Sequence, residues 1–281
     1  MAYKSLLTVA TSPEGLLETV TAAAQVAQTM DAHLDGLALG VDRTQIGYSY
    51  VGSGAVVIAA AMERAEAEAR DAETALNAAL QAQTPTLRSS AESVVTQLGA
   101  LTDVVAARAR YSDLVILPLP YGKSRGVEDE AVTEAALFEG MAPVLIVPPK
   151  GMKSSTPKRI IIAWNQSREA LVAARRAMPF LRRAELVQIV VVDPPPHGPE
   201  RSDPGGLLCQ LLVRHGVKAE VCVLARTLPR VSEVLARQIR DVDAELLVMG
   251  AYGHSRFREA ILGGATRDML EHAEVPVFLA H

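Results

Sequence analysis

Four glycines near the end of the chain have a spacing that could hold an anion. Gly250 and Gly253 are separated by two residues, and nine residues later Gly263 and Gly264 stand side by side. Glycine has no Cβ and tolerates positive φ, so the backbone N–H groups around it can approach a ligand closely. The spacing therefore indicates a phosphate-binding loop, although glycines needed only for turns would produce it too.

The segment that follows strengthens the phosphate interpretation. Ala265 and Thr266 come directly after the glycine pair and begin a predicted helix with the sequence TRDMLEHA. The unpaired N–H groups and the positive dipole end of a helix favour phosphate at this point. The Thr266 hydroxyl would contact the ligand or simply cap the helix.

Composition limits the classes of function. The chain has 281 residues, 49% of them hydrophobic, which suffices for two domains with real cores. With 28 Lys and Arg against 32 Asp and Glu, it has no excess of positive charge to hold nucleic acid or an anionic membrane. The longest apolar run, Gly54–Met62, is too short to span a bilayer. Cys209 and Cys222 fit neither a disulfide framework nor a metal site, and we expect them to be buried in a cytoplasmic protein.

The chain is an internal duplication. The paired segments lie 154, 132 and 133 residues apart, so the first half carries a net insertion, which we place near residues 43–60. We predict domains at 1–150 and 156–281, joined by a linker rich in Pro, Ser and Lys. The pairs are KSLLTVATS from Lys4 with KRIIIAWNQ from Lys158, SDLVILP from Ser112 with AELLVMG from Ala244, and APVLIVPP from Ala142 with VPVFLAH from Val275.

Strand-length apolar runs alternate with helical patterns in each half. The strands are continuous in Val, Ile and Leu, as parallel strands covered on both faces should be. The pattern predicts an α/β fold with two tandem, mostly parallel, five-stranded open sheets, Rossmann-like and related by a pseudo-two-fold. In such sheets ligands bind beyond the carboxyl ends of the strands, and the strand AELLVMG ends at Gly250.

The glycine segment resembles the ATP phosphate-binding signature of the universal stress protein family. In that signature, Gly, two residues, Gly, nine residues and Gly are followed by Ser or Thr. The segment from Gly250 to Gly263 fits, whereas Gly264 replaces the hydroxyl residue and would weaken phosphate binding by roughly tenfold or less. The resemblance extends over both halves, and it implies a tandem stress-response protein that binds ATP or a related adenine nucleotide, with or without Mg²⁺.

The resemblance also implies where the rest of the nucleotide would lie. The turn after the first strand, Ala163 to Asn165, would hold ribose and adenine, with Asn165 at a position where the family commonly has Asp. Main-chain atoms near Val191 and Val192 would contact adenine. Trp164 either borders this pocket or packs in the core or between the domains. His254 is a further candidate phosphate ligand beside Gly253, and residues 193–206 would be a mobile loop near the adenine end.

The first half serves as an internal control for the glycines. An offset of 133 places Glu130 at the position of Gly263 and Ala131 at that of Gly264. Glu128 and Asp129 precede them, so acids would occupy the helix N-terminus and repel phosphate. Pro118 and Pro120 remove N–H donors from the preceding loop, and Thr11 replaces the ribose-binding Asp. We therefore predict ATP binding in the second half only.

Catalysis and assembly are less strongly indicated. The sequence has no GxSxG, HExxH or P-loop motif and no evident general base, so we expect at most slow ATP hydrolysis. The resemblance implies that the two closing strands pair antiparallel within the chain, as an intramolecular pseudo-dimer that stays monomeric or forms a further homodimer. The alternative function is a structural or interaction protein without nucleotide, whose 43–60 insertion binds a partner or a small apolar ligand.

Overall fold

Two compact units make up the described parts of the chain. The computed structural model describes residues 2–44, 54–122, 125–194, 202–251 and 264–281. Contacts divide these into an N-terminal unit, Tyr3–Ala142, and a C-terminal unit built from Pro143–His281. Half of the predicted insertion near 43–60, residues 45–53, lies outside the described residues, which resume at Gly54.

The N-terminal unit alternates strands and helices, as the apolar runs predict. Its four strands are all parallel in the order β3-β2-β1-β4. The elements are β1 (Ser5–Ala10), α1 (Leu16–Met30), β2 (His33–Asp42), α2 (Gly54–Gln81), β3 (Arg88–Gln97), a 3-10 turn (Leu98–Ala100), α3 (Leu101–Ala109), β4 (Leu114–Pro118) and α4 (Val127–Glu134), which continues into a π-helical turn (Ala135–Glu139).

The C-terminal unit holds six strands in the order β5-β10-β9-β6-β7-β8. All neighbours are parallel except β5 and β10, which pair antiparallel, so the predicted pairing of the closing strands is confirmed. The elements are β5 (Val144–Val147), β6 (Arg159–Ala163), α5 (Arg168–Arg176), α6 (Met178–Leu181), β7 (Leu186–Val192), α7 (Gly206–Arg214), β8 (Ala219–Leu224), α8 (Val231–Asp241), β9 (Leu246–Gly250), α9 (Ala265–Glu271) and β10 (Val277–Ala280).

Strand β5 explains why the boundary between the two units comes before the predicted linker. By sequence it closes the first half, so that each half supplies five strands as predicted. In space it lies with β10, and the units divide at Ala142 and Pro143. Residues 148–158, the predicted linker, contain neither helix nor strand.

Strand register agrees with the offsets of the predicted duplication. Leu6 pairs with Leu114 in the N-terminal unit, and Ile160 pairs with Leu246 in the C-terminal unit. The members of these pairs differ by 160 − 6 = 154 and 246 − 114 = 132, the offsets found in the sequence. The strand ends of the two halves can therefore be compared residue by residue.

Helix α2 has a regularly buried side from Ala65 onward. Its buried residues recur every three or four positions, as an amphipathic helix requires: Ala65, Ala69, Ala72, Leu76 and Ala79. Before Ala65 the helix is apolar in sequence, yet Val56, Ile58 and Met62 are 73%, 47% and 47% exposed. The first turns of α2 thus present apolar side chains to solvent.

Candidate functional site

Three of the predicted site segments meet at one edge of the C-terminal sheet. Ala163 of β6 lies opposite both Val190 of β7 and Met249 of β9. The Trp164 N–H extends this ladder by donating to the Val190 carbonyl at 2.9 Å. Because the three strands are parallel neighbours, the Trp164–Asn165 turn, Val191 with Val192, and Gly250 all lie at the same carboxyl edge of the sheet.

Gly250 is explained by packing. A Cβ on this residue would lie 2.6 Å from the backbone nitrogen of Ala170 and 2.8 Å from the carbonyl carbon of Glu169. Both atoms belong to the backbone of α5, so neither can move aside as a flexible side chain would. Gly250 is also not among the described residues with positive φ. Packing against helix α5 is therefore enough to require glycine at this position, and the expected approach of its backbone to a ligand stays a prediction.

The turn after β6 is held by its own side chains. The Asn165 Oδ1 accepts a hydrogen bond from the Ser167 N–H at 3.1 Å, and the Ser167 Oγ accepts from the Ala170 N–H at 3.1 Å. Between them Gln166 adopts a φ of 63°. A left-handed non-glycine residue costs free energy and is found preferentially at functional sites. Asn165 is exposed, but its carbonyl oxygen already serves the turn.

Trp164 packs inside the C-terminal unit. It is only 7% exposed, and a Cβ on Gly205 would lie 3.5 Å from its Cδ1 and 3.4 Å from Cγ2 of Val191. Gly205 has a φ of 84° and precedes α7. Of the two roles considered for Trp164, packing within the core is the one its burial supports. The adjacent end of β7 bends at Asp193, whose φ is 49°.

Helix α9 begins where the sequence predicts. Gly264 is its N-cap residue, with φ −65° and ψ 147°, an extended conformation open to any residue, and it contributes no side-chain cap. Ala265 opens the helix, and Thr266 is buried. Asp268 in the first turn is neutralised by Arg230, whose Nη1 lies 3.1 Å from its Oδ1. Gly253, His254 and Gly263 lie outside the described residues.

The corresponding edge of the N-terminal unit contains an acid–arginine cluster, which we define as Thr11, Arg43, Arg125, Glu128 and Asp129. The Arg43 guanidinium bonds both the buried Glu128 carboxylate and, at 2.8 Å, that of Glu68. Arg125 lies 3.6 Å from Asp129, and both side chains are nearly buried, at 12% and 9% exposure. Asp129 also accepts from the Thr11 hydroxyl at 2.8 Å and from the Gly126 N–H at 2.9 Å.

In this acid–arginine cluster the anions are carboxylates of the protein itself. Its carboxylates already bind an arginine pair, a hydroxyl and a helix N-terminal N–H, which are the donors that an external phosphate would use. The prediction that Glu128, Asp129 and Glu130 occupy the first turn of α4 is confirmed.

The finer alignment of the two helices is wrong, however. Helix α4 has its N-cap at Gly126, and α9 has its N-cap at Gly264, a difference of 264 − 126 = 138 and not 133. Gly126 is therefore the counterpart of Gly264, and Glu130 and Ala131 lie inside the helix. The first-half helix continues to Glu139 through a π-helical turn, so counting back from the strand stops short of its start.

Other features of the described residues lie apart from this chemistry. A cavity of about 550 Å³ opens against the amino-terminal halves of β1, β2 and β3, lined by Leu7, Asp35, Ser90 and Arg108 among others. Burial raises the pKa of the Cys209 and Cys222 thiols. Both side chains are half-buried, whereas the sequence analysis expected full burial. Across the described ranges no helix is long and apolar enough to cross a membrane, and no three His, Cys, Asp or Glu side chains are grouped as metal ligands.

Comparison with known proteins gives one consistent family. Residues 156–281 match the family model of the universal stress protein family. Universal stress protein Slr1230 of Synechocystis sp. is 28% identical over 137 residues, or 47% of this chain and 45% of that protein, so the match spans less than half of the relative.

Solved structures extend the likeness in fold to both halves. A universal stress protein from Archaeoglobus fulgidus covers 98% of this chain and 96% of its own, with a TM-score of 0.67 and 15% identity. A functionally unknown protein from Pseudomonas aeruginosa covers 99% of this chain and 92% of its own, with a TM-score of 0.57 and 14% identity. At these identities the likeness establishes the α/β fold.

Proposed function

We propose that the chain is a member of the universal stress protein family, whose model matches residues 156–281, and that its C-terminal unit binds ATP or a related adenine nucleotide, with or without Mg²⁺. In this proposal the nucleotide makes the protein a sensor or regulator of the stress response in the cytoplasm. Hydrolysis is no part of it, because no general base is evident.

One observation carries the proposal. The register of β6, β7 and β9 gathers the Trp164–Asn165 turn, the end of β7 and Gly250 at the same carboxyl edge of the sheet. Ligands of open α/β sheets bind at this position. The glycine sequence from Gly250 to Gly264, with its family spacing, starts from the middle of that edge.

The proposed contacts follow from the chemistry of each segment. N–H groups around Gly253 and Gly263 would bind the phosphates, with those of Gly264, Ala265 and Thr266, which have no partner inside the helix. Main-chain atoms of Val191 and Val192 would meet the adenine. Since the Asn165 Oδ1 is bound by Ser167, its amide N–H₂ would be the group that donates to a ribose oxygen.

The N-terminal unit is proposed to bind no nucleotide. In its acid–arginine cluster, Arg43 and Arg125 are already paired with Glu128 and Asp129. A polyphosphate entering this edge would have to displace those carboxylates and lie beside them, which like-charge repulsion opposes.

Native mass spectrometry and thermal shift would test the proposal on the intact chain. Adenine nucleotide should co-purify, and ATP at 100 times its Kd should stabilise the protein by about 2.7 kcal/mol. Gly253→Asp should abolish both effects, because it adds bulk and negative charge among the phosphates. Gly99→Asp is the matched control, since a Cβ at Gly99 meets nothing within 4 Å. Normal ATP binding by Gly253→Asp would refute the assignment of the loop.

A second candidate function is favoured by the exposed start of α2. Val56, Ile58 and Met62 are apolar and solvent-facing at the end of the predicted insertion. In this alternative the chain is an interaction protein, and these residues bind a partner or a small apolar ligand. An apolar fluorescent dye should then bind the wild type, and Ile58→Gln with Met62→Gln should lose that binding. Absence of any ATP effect, together with this loss, would favour the alternative.

A further inference from the structure

We propose that the cavity beside α3 in the N-terminal unit binds a small organic cation, with an ammonium or guanidinium head on an apolar stem. The cavity uses none of the residues of the proposed nucleotide site, and its volume of about 550 Å³ lies within the range of small-molecule sites. Leu7 pairs with Asp35 and Asp35 with Ser90, so the three side chains point to one face of the sheet and line the cavity. Leu7 provides an apolar surface for the stem, and Asp35 provides a carboxylate for the head.

Asp35 is the lining carboxylate that a ligand cation would pair with. The other lining carboxylate, Glu92, is bound by the Arg108 guanidinium through Nε and, at 3.3 Å, through Nη2. Asp35 accepts from the Ser90 hydroxyl at 2.5 Å, and among the described residues its ion-pair partner is His33, at 3.3 Å, which is charged only when protonated. The lining thus has two carboxylates and one guanidinium, an excess of negative charge that favours a cation.

An aromatic ring in the same cavity also favours a positive ligand. Tyr111 follows the end of α3, lines the cavity and is 80% exposed, so its ring is open to a ligand. The face of such a ring attracts a cation that lies over it, and guanidinium groups also stack on it. Tyr111 and Asp35 therefore prefer the same ligand charge.

The second half shows that the fold does not require this carboxylate. The strand pairing of β7 and β8 places Gln188 at the position of Asp35, and Glu220 at that of Ser90. The Gln188 amide donates to the Glu220 carboxylate at 2.9 Å. An uncharged residue therefore serves the same sheet position when it is bonded to its neighbours.

Helix α8 completes that bonding, and α3 has no equivalent group. The Gln238 amide on α8 donates to the Gln188 carbonyl oxygen at 2.6 Å. Its counterpart on α3, at the offset of the following strand, 238 − 106 = 132, is Ala106, whose methyl group cannot hydrogen-bond. The polar groups of the second half are thus bonded to one another, whereas the first half leaves a charged carboxylate beside a cavity.

NMR titration of the full chain tests the proposal with n-butylguanidinium and its uncharged isostere n-butylurea. The cation should shift the amide signals of Gly36 and Ala91, which line the cavity, and the shifts should saturate. Asp35→Asn should weaken this binding about five- to tenfold, as expected for a charge-assisted pair that is half exposed, and n-butylurea should bind the wild type as weakly. Tyr111→Ser should weaken the binding about two- to fivefold.

Asp71→Asn is the matched control, because it removes the same charge from an exposed position on α2 that does not line the cavity. It should bind n-butylguanidinium like the wild type. Shifts at Gly36 and Ala91 that stay linear up to about 20 mM cation would overturn the proposal. Equal binding of n-butylurea, or equal losses in Asp35→Asn and Asp71→Asn, would overturn it too, since either result would show that the Asp35 charge does not select the ligand.

Discussion

Replacing Gly250 by alanine tests whether the fold or a bound ligand requires glycine at this position. The new Cβ would stand 2.6 Å from the Ala170 nitrogen and 2.8 and 2.9 Å from two atoms of Glu169. Contacts under 3.0 Å with backbone force the first turn of α5 to move. Overpacking of this kind costs about 1–3 kcal/mol. At about 4 °C per kcal/mol for a unit of this size, Tm should fall by roughly 4–12 °C.

Differential scanning calorimetry without nucleotide measures this loss. Gly99→Ala is the control, because its Cβ enters open space and should leave Tm within about 2 °C of wild type. The reasoning about Gly250 would be refuted by an unchanged Tm in Gly250→Ala. A folded variant of wild-type stability that had lost ATP binding would return Gly250 to the ligand site.

Three further predictions address the helix cap, the acid–arginine cluster and the cysteines. Gly264→Ser should stabilise α9 by a few tenths of a kcal/mol through a new N-cap, and should tighten ATP binding by up to about tenfold in calorimetry; weaker binding would contradict the phosphate role of this position. Arg125→Met should lower the free energy of unfolding by about 1–3 kcal/mol in urea titration, because Asp129 keeps only its Thr11 and Gly126 partners. Its ATP affinity should equal wild type, and a loss would place nucleotide in the N-terminal unit. Cys209 and Cys222 should be alkylated at pH 7 more slowly than free cysteine, because burial foremost raises both thiol pKa values and lowers the thiolate fraction, helped by the negative charges of Asp203 and Glu220 at Cys209 and of Glu220 at Cys222; equal rates would contradict that shift.

Much of the fold follows from apolar periodicity. Strands such as β6, β7 and β9 are continuous runs of Val, Ile and Leu, and their burial on both faces made them recognisable. The helical pattern SREALVAARRAMPFLRR after β6 predicts one helix, but the structure divides it into α5 and α6, because Pro179 lacks an N–H and stands in the first turn of a new helix. The charged sequence from Ala61 predicts a long helix, but α2 begins seven residues earlier, at Gly54, since the residues before Ala61 are apolar without a helical period.

The sequence predicts which strand ends form the candidate site. It predicts far fewer of the contacts between individual residues there. The offsets of 154 and 132 place Thr11 and Asn165 at equivalent turns, as the register confirms. Arg43 and Glu128 pair across 85 residues of sequence, and no local pattern announces such a contact. The packing role of Gly250 likewise depends on neighbours brought together only by the fold.

The stoichiometry of ATP binding to the intact chain tests the central claim most directly. Isothermal titration calorimetry with Mg²⁺ and ATP should give one nucleotide per chain, and Gly253→Asp should reduce this to none while Gly99→Asp keeps it at one. Two nucleotides per chain would show that the acid–arginine cluster does not prevent nucleotide binding in the N-terminal unit. No binding to the wild type would contradict the account of the C-terminal site as a whole.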